Sequence, residues 1–173
     1  AEGKPSNVKL YLHMGIEDRG WNIIMLAKRL GIMDRLILTD NGNQHPNISL
    51  KRLNLMYNAC DVGINTASGE GWGLVSFEHA ATMAPQVVPK HTSLEELWDG
   101  SAQQVEPVMT LTNTGILNDA YFVSPQNVAA ALEVLYMDPL YREEMGRKAF
   151  ENATKQEYSW KVISDQWRSE EHT

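Results

Sequence analysis

The stretch Asn65-Thr66-Ala67-Ser68-Gly69-Glu70-Gly71-Trp72-Gly73-Leu74-Val75-Ser76-Phe77-Glu78 decides how this chain reads. The apolar run before it, residues 61–65, has the length of a buried strand, and residues 74–84 after it read as a helix. Between them lies a turn of small residues, whose main chain a ligand can approach closely. The first N–H groups of a helix have no partner within it and carry the positive end of its dipole. Strand, turn and helix therefore suit a phosphate or diphosphate. Two carboxylates flank the turn. Glu70 lies in it, and Glu78 lies about one turn into the helix, where side chains lean back toward the N-terminus. Like charges repel, so both suit hydroxyl groups rather than phosphate. A nucleotide sugar, with a diphosphate between two hydroxyl-rich rings, has the matching shape. Spacing alone also admits a plainer account: Glu70 as a solvated loop carboxylate, Glu78 as a first-turn acid that complements the dipole. Gly69-x-Gly71-x-Gly73 lacks the G-x-G-x-x-G spacing and does not follow the first strand, which argues against a nicotinamide enzyme.

Outward from the turn, strand and helix signals alternate. Residues 8–13 and 35–39 read as strands, and 22–30 as a helix stopped by Gly31. Asp40-Asn41-Gly42-Asn43 is a turn, and Ser49 is a plausible N-cap for a helix over 50–59. Residues 86–88 read as a strand, Ser93 as the cap of a short helix carrying Leu94, Leu97 and Trp98, and 104–105 as a last strand. Residues 107–125, with Thr and Asn recurring around Gly115, read as a long loop or insertion. Helices follow at 128–137, 140–153 and 160–168. This alternation predicts an α/β, Rossmann-like parallel sheet with helices on both faces and a helical C-terminal tail, as a single domain over 1–173.

A chain of 173 residues, 43% hydrophobic and 21% charged, has the composition of an ordered globular domain. Its net charge of -7, with no Lys/Arg cluster, argues against nucleic acid as a partner. One small phosphate ligand held by backbone amides needs no positive balance and stays open. Cys60 is the one cysteine, so no intrachain disulfide forms, and its apolar surroundings predict a buried structural thiol. No apolar run is long enough to span a membrane, and the polar first residues do not resemble a signal peptide; the expected setting is cytoplasmic.

The central segment resembles the E-x7-E motif of family 4 glycosyltransferases, S-x-x-E-G-[FW]-G-L followed by E-A-x-A-x-G-x-P-V. Here it runs Glu70-Gly71-Trp72-Gly73-Leu74-Val75-Ser76-Phe77-Glu78-His79-Ala80-Ala81, then Pro85. Tyr57-Asn58-Ala59-Cys60-Asp61-Val62 resembles the family's Y-x-x-x-D-[VI], and Leu94-Glu95-Glu96-Leu97 its L-x-E-[LVI] segment. Asp138-Pro139, Ala149 and Tyr158-Ser159-Trp160 are similar to the D-P, A and [FY]-[ST]-W pattern of its closing helices. The likeness covers nearly the whole chain apart from about 100–125. Met83 stands at a family glycine, and His79 at a common alanine.

The resemblance implies the C-terminal, donor-binding half of a retaining, metal-independent, hexosyltransferase-like enzyme of the two-domain GT-B fold. Glu70 would contact the donor sugar as the catalytic carboxylate, and Glu78 the ribose hydroxyls. Main-chain amides of Gly71, Trp72, Gly73, Leu74 and Val75 would hold sugar and diphosphate, although Trp72 equally suits core packing. Thr39 and Asn41 would lie near the base. No cofactor is implied, and the nucleotide sugar is a substrate. The five histidines are scattered, with none at metal-ligand spacing to Cys or Asp, and His79 reads as structural. The family's Arg and Lys, which neutralise the diphosphate, and the acceptor-binding N-terminal domain have no counterpart here. The expectation is a fragment that is inactive alone, with that domain as its partner. Two other classes stay open: a non-catalytic nucleotide- or protein-binding module with a degenerate site, and a phosphorylase or glycogen-synthase-like enzyme of the same fold.

Overall fold

A computed structural model describes residues 7–17, 20–40, 42, 44–115 and 118–170. The chain divides into two compact units, Ala1–Leu53 and Asn54–Thr173. In the first, strands β1 (Leu10–Leu12) and β2 (Leu36–Leu38) pair in parallel, Tyr11 opposite Ile37. Helix α1 (Ile23–Leu30) connects them. Its N-terminus is capped by the Asn22 side chain, which accepts from the Met25 N–H, and it ends at Gly31, whose left-handed backbone lets its N–H reach the last carbonyls. A single 3₁₀ turn, Met33–Arg35, leads into β2.

Helix α2 (Leu50–Asn58) runs into the second unit, where β3 (Gly63–Ile64), β4 (Gln86–Pro89) and β5 (Gln103–Val105) form a parallel sheet in the order β3-β4-β5. Every residue of β4 is buried, so Val87 and Val88 follow each other with no polar alternation, and the one polar side chain, Gln86, donates to the Ala84 carbonyl at 3.0 Å. Successive side chains in a strand point to opposite faces, so Val87 and Val88 enter separate cores. Val88 meets Phe77, Leu94, Trp98 and Ala149, from α3 (Leu74–Ala80), α4 (Thr92–Leu97) with its C-cap Trp98, and α6 (Pro139–Ala153). Val87 meets Val105, Ala131, Leu135 and Met145, from β5, α5 (Pro125–Met137) and α6. Leu94 and Leu135 are fully buried, one per core, and truncating either to Ala would cost about 2–5 kcal/mol.

The closing helices start where side chains supply the missing acceptors. Ser124 accepts from the Asn127 N–H ahead of Pro125, and Asp138 from the Tyr141 N–H ahead of Pro139. Helix α7 (Trp160–Glu170) ends the described chain, and no helix among the described residues is long and apolar enough to cross a membrane. Three local expectations are corrected. The segment 107–125 is no loop: β6 (Met109–Asn113) and β7 (Asn118–Phe122) pair as an antiparallel hairpin, so 104–105 is not the last strand. Helix α3 stops at Ala80 rather than Ala84, because Met83 takes a left-handed backbone, φ 66°. Cys60 is half-buried rather than buried, and desolvation still raises its thiol pKa, the Asp61 charge adding to the effect.

Candidate functional site

The turn after β3 is built from side chains that bind the main chain. Asn65 accepts from the Ala67 N–H at 2.8 Å and bends the chain out of the strand. The Ser68 carbonyl receives the Tyr121 N–H at 2.7 Å. The main chain of Glu70 is held at both polar atoms: its N–H donates to Thr92 Oγ1 at 3.3 Å, and its carbonyl accepts from Ser93 Oγ at 2.7 Å. Ser93 was expected to cap α4. Instead α4 starts two residues earlier, at Thr92 with His91 at the N-cap position, and the Ser93 hydroxyl serves the turn. Thr92 itself has φ 47°, a conformation that costs a β-branched residue about 1–3 kcal/mol.

Gly73 closes the turn at φ 81°. A Cβ there would stand 3.0 Å from Leu94 Cδ2 and 3.4 Å from Glu70 Cγ, so both backbone and space require glycine. The first bond of α3 runs from the Ser76 N–H to the Gly73 carbonyl, so the N–H groups of Leu74 and Val75 precede the hydrogen-bonded helix. Ile64, Asn65, Thr66, Glu70, Trp72, Gly73, Leu74, Val75 and Ser76 line an open depression of about 540 Å³. It lies beyond the carboxyl end of β3, the place where open parallel sheets take ligands.

The depression brings together Glu70, Trp72, Gly73, Leu74 and Val75. Glu70 is half-buried, and no described group pairs with its carboxylate. Gly71 is exposed in the same turn, outside the lining. Trp72 does both things its position allows. Its ring packs at 5.2 Å on Phe77 and at 5.1 Å, edge-on, with Tyr158, while the residue still borders the depression.

Glu78 is not among the lining residues. It lies one turn along α3 from Leu74, and positions four apart share a helix face; Leu74, Val75 and Glu78 are all exposed. Its carboxylate accepts the Tyr57 hydroxyl at 2.9 Å, and burial together with that bond raises the phenol pKa above its ordinary value. Below them His79 is buried, stacked on Tyr57 at 5.3 Å with Nε2 3.1 Å from the Cys60 carbonyl. Desolvation lowers the His79 pKa, and a neutral imidazole donating to a carbonyl is the structural role expected of it.

Thr39 belongs to the first unit, where its hydroxyl meets Tyr11 Oη at 2.9 Å and His13 Nδ1 at 2.7 Å. Asn41 lies outside the described residues. Among the described residues no group of three His, Cys, Asp or Glu side chains is placed to hold a metal ion. Sequence reading missed Tyr57 as the partner of Glu78, and Thr92 and Ser93 as the holders of the Glu70 main chain. Spacing signals cannot find contacts made by residues about 20 positions apart.

No protein-family model matches the chain, and no curated protein matches it by sequence. Solved structures do match. Sucrose-phosphate synthase (tll1590) from Thermosynechococcus elongatus superposes with a TM-score of 0.71 at 18% identity, over 95% of this chain and 38% of that one. WaaG, a glycosyltransferase involved in lipopolysaccharide biosynthesis, gives 0.64 at 14% identity, over 93% of this chain and 38% of that one. Anabaena Alr3699/HepE, solved in complex with UDP, gives 0.64 at 18% identity, over 86% and 36%. The fold is therefore that of the C-terminal domains of GT-B glycosyltransferases. At these identities the likeness is one of fold, and the chain spans little more than a third of the length of those proteins.

Proposed function

We propose that this chain is the donor-binding domain of a retaining glycosyltransferase, transferring a hexose from a nucleoside-diphosphate sugar. The observation that carries the reading is the depression at the start of α3, where Glu70 meets main-chain N–H groups that no helical bond uses. A diphosphate laid against Leu74 and Val75 would accept from those N–H groups. Its sugar would then reach the Glu70 carboxylate, which no described group pairs, and the ribose, one helical turn along, would reach Glu78. As the glycosidic bond breaks, charge builds on the departing diphosphate, and preoriented amides lower that barrier without bulk water having to reorganise. No step in this scheme uses a metal. An acceptor-binding domain would close over the site and exclude water, so the chain alone would bind donor weakly and turn over little. On this reading the setting is the cytoplasm.

The test is calorimetry or saturation-transfer NMR with UDP, GDP, ADP and their hexose conjugates. One nucleotide should bind at sub-millimolar to millimolar Kd. Glu78→Ala should weaken it about tenfold or more, the loss of a hydroxyl–carboxylate bond worth about 1.5–3 kcal/mol. Glu70→Gln should leave the bare diphosphate unchanged and remove the extra affinity that the sugar contributes. Binding of no nucleotide at several millimolar would sink the enzyme reading in favour of a non-catalytic module.

A further inference from the structure

Glu70 combines a fixed main chain with a carboxylate that no described group holds, and the fixing comes from a loop and a hairpin that the donor scheme does not use. His91 is at the centre of it. The ring is 3% exposed, and both its nitrogens are engaged. Nε2 lies 3.0 Å from the Ala67 carbonyl, which can only accept, so Nε2 carries the proton. In the neutral ring Nδ1 is then an acceptor, and Thr92 Oγ1 at 3.1 Å donates to it. With its hydrogen committed, that hydroxyl has lone pairs free to accept the Glu70 N–H. The chain of donors is consistent from end to end: Glu70 N–H to Thr92, Thr92 O–H to His91, His91 N–H to Ala67. Tyr121 of β7 covers the far side, its ring stacked on the imidazole at 4.9 Å and 16° while its N–H holds Ser68. The left-handed backbone of Thr92 places its hydroxyl between the two partners.

We infer that His91 is a positioning residue which, acting through Thr92 and backed by Tyr121 of the β6–β7 hairpin, presets the Glu70 loop for the sugar of the donor. Its consequence for binding rests on the function proposed above; its consequence for the loop does not. A loop fixed in advance loses little freedom when the sugar arrives, so the arrangement acts on the affinity added by the sugar and not on that of the nucleotide.

Two readouts on the full chain test this. The first, amide hydrogen exchange without ligand, compares Glu70 with Val88 in the core strand. In wild type the Glu70 amide should be protected. His91→Phe, which keeps a ring on Tyr121 but deletes both hydrogen bonds, should speed Glu70 exchange at least tenfold with Val88 unchanged. Thr92→Val should do the same, and Thr92→Ser, which restores the hydroxyl, should recover wild-type exchange. An unprotected Glu70 amide in wild type, or equal acceleration at Glu70 and Val88, overturns the inference. The second readout is the ratio of Kd for the bare nucleoside diphosphate to that for its sugar conjugate. This ratio should collapse toward one in His91→Phe while the diphosphate Kd changes less than twofold; equal weakening of both ligands counts against a positioning role. If wild type binds no nucleotide, the proposed function fails, and the exchange measurement still decides what His91 does.

Discussion

At both ends of α3 a residue takes a left-handed backbone, and the two positions are filled differently. Gly73, at the start, has φ 81°; Met83, beyond the end, has φ 66°. At Gly73 the backbone and the space agree, since a Cβ would press on Leu94 and Glu70. At Met83 the side chain is 57% exposed, so the backbone alone objects. The crowding near Met83 is taken up elsewhere: a Cβ on Gly146, in the middle of α6, would run into the Met83 carbonyl oxygen. The start of the helix is thus built around an open depression and tolerates no side chain at its pivot. At the end the Met83 main chain packs against Gly146 while its side chain stays exposed, so methionine is tolerated at the cost of some strain. That is also the physical meaning of finding methionine where the family resemblance expects glycine.

The comparison can be broken in four places. Gly73→Ala should have the largest effect, about 2–4 kcal/mol of stability from the left-handed strain plus the overpacking against Leu94. Urea unfolding measures it, and a loss below about 0.5 kcal/mol would mean that the turn yields easily. Gly146→Ala should come next. Alanine raises helix propensity by about 1 kcal/mol, but the contact with the Met83 carbonyl should turn the balance into a net loss of about 1–3 kcal/mol. A rise in Tm would show that the 82–85 segment moves aside. Met83→Gly should sharpen the contrast in the other direction, stabilising the fold by about 0.5–1 kcal/mol with no change in nucleotide affinity.

The smallest effect should be a difference between two pH profiles. Burial lowers the His79 pKa in the folded chain below its ordinary 6.5, so the unfolded chain binds more protons just below that pH. Stability from this group is therefore present above 6.5 and falls as pH drops through the window down to the lowered folded value. His79→Gln, which can still donate to the Cys60 carbonyl, should show a shallower loss between pH 7 and 5. Parallel profiles would remove His79 from the account.

Much of the fold was legible because the signals are local. The Val87-Val88 pair of β4, Gly31 and its left-handed cap, and the Asp138-Pro139 break between α5 and α6 each declare themselves within a few residues. The 107–125 hairpin did not, because its strands carry Thr, Asn and Asp, and their pairing is with each other rather than with the parallel sheet. At the site, the same locality made the Glu70 turn readable while hiding what holds it. Thr92, Ser93 and Tyr121 come from 22 to about 50 positions away, and polar residues at such distances leave no periodic trace.

The sequence by itself determined the alternation of strand and helix, the glycine-rich turn opening α3 and the two carboxylates eight positions apart, since each depends on neighbours along the chain. Only the tertiary structure decided that Glu70 borders the depression while Glu78 sits one turn beyond it against Tyr57, and that a histidine from another loop fixes the first of them. The physical reason is that spacing fixes which face of a helix a side chain occupies, whereas its partners are chosen by whatever the folded chain packs against that face.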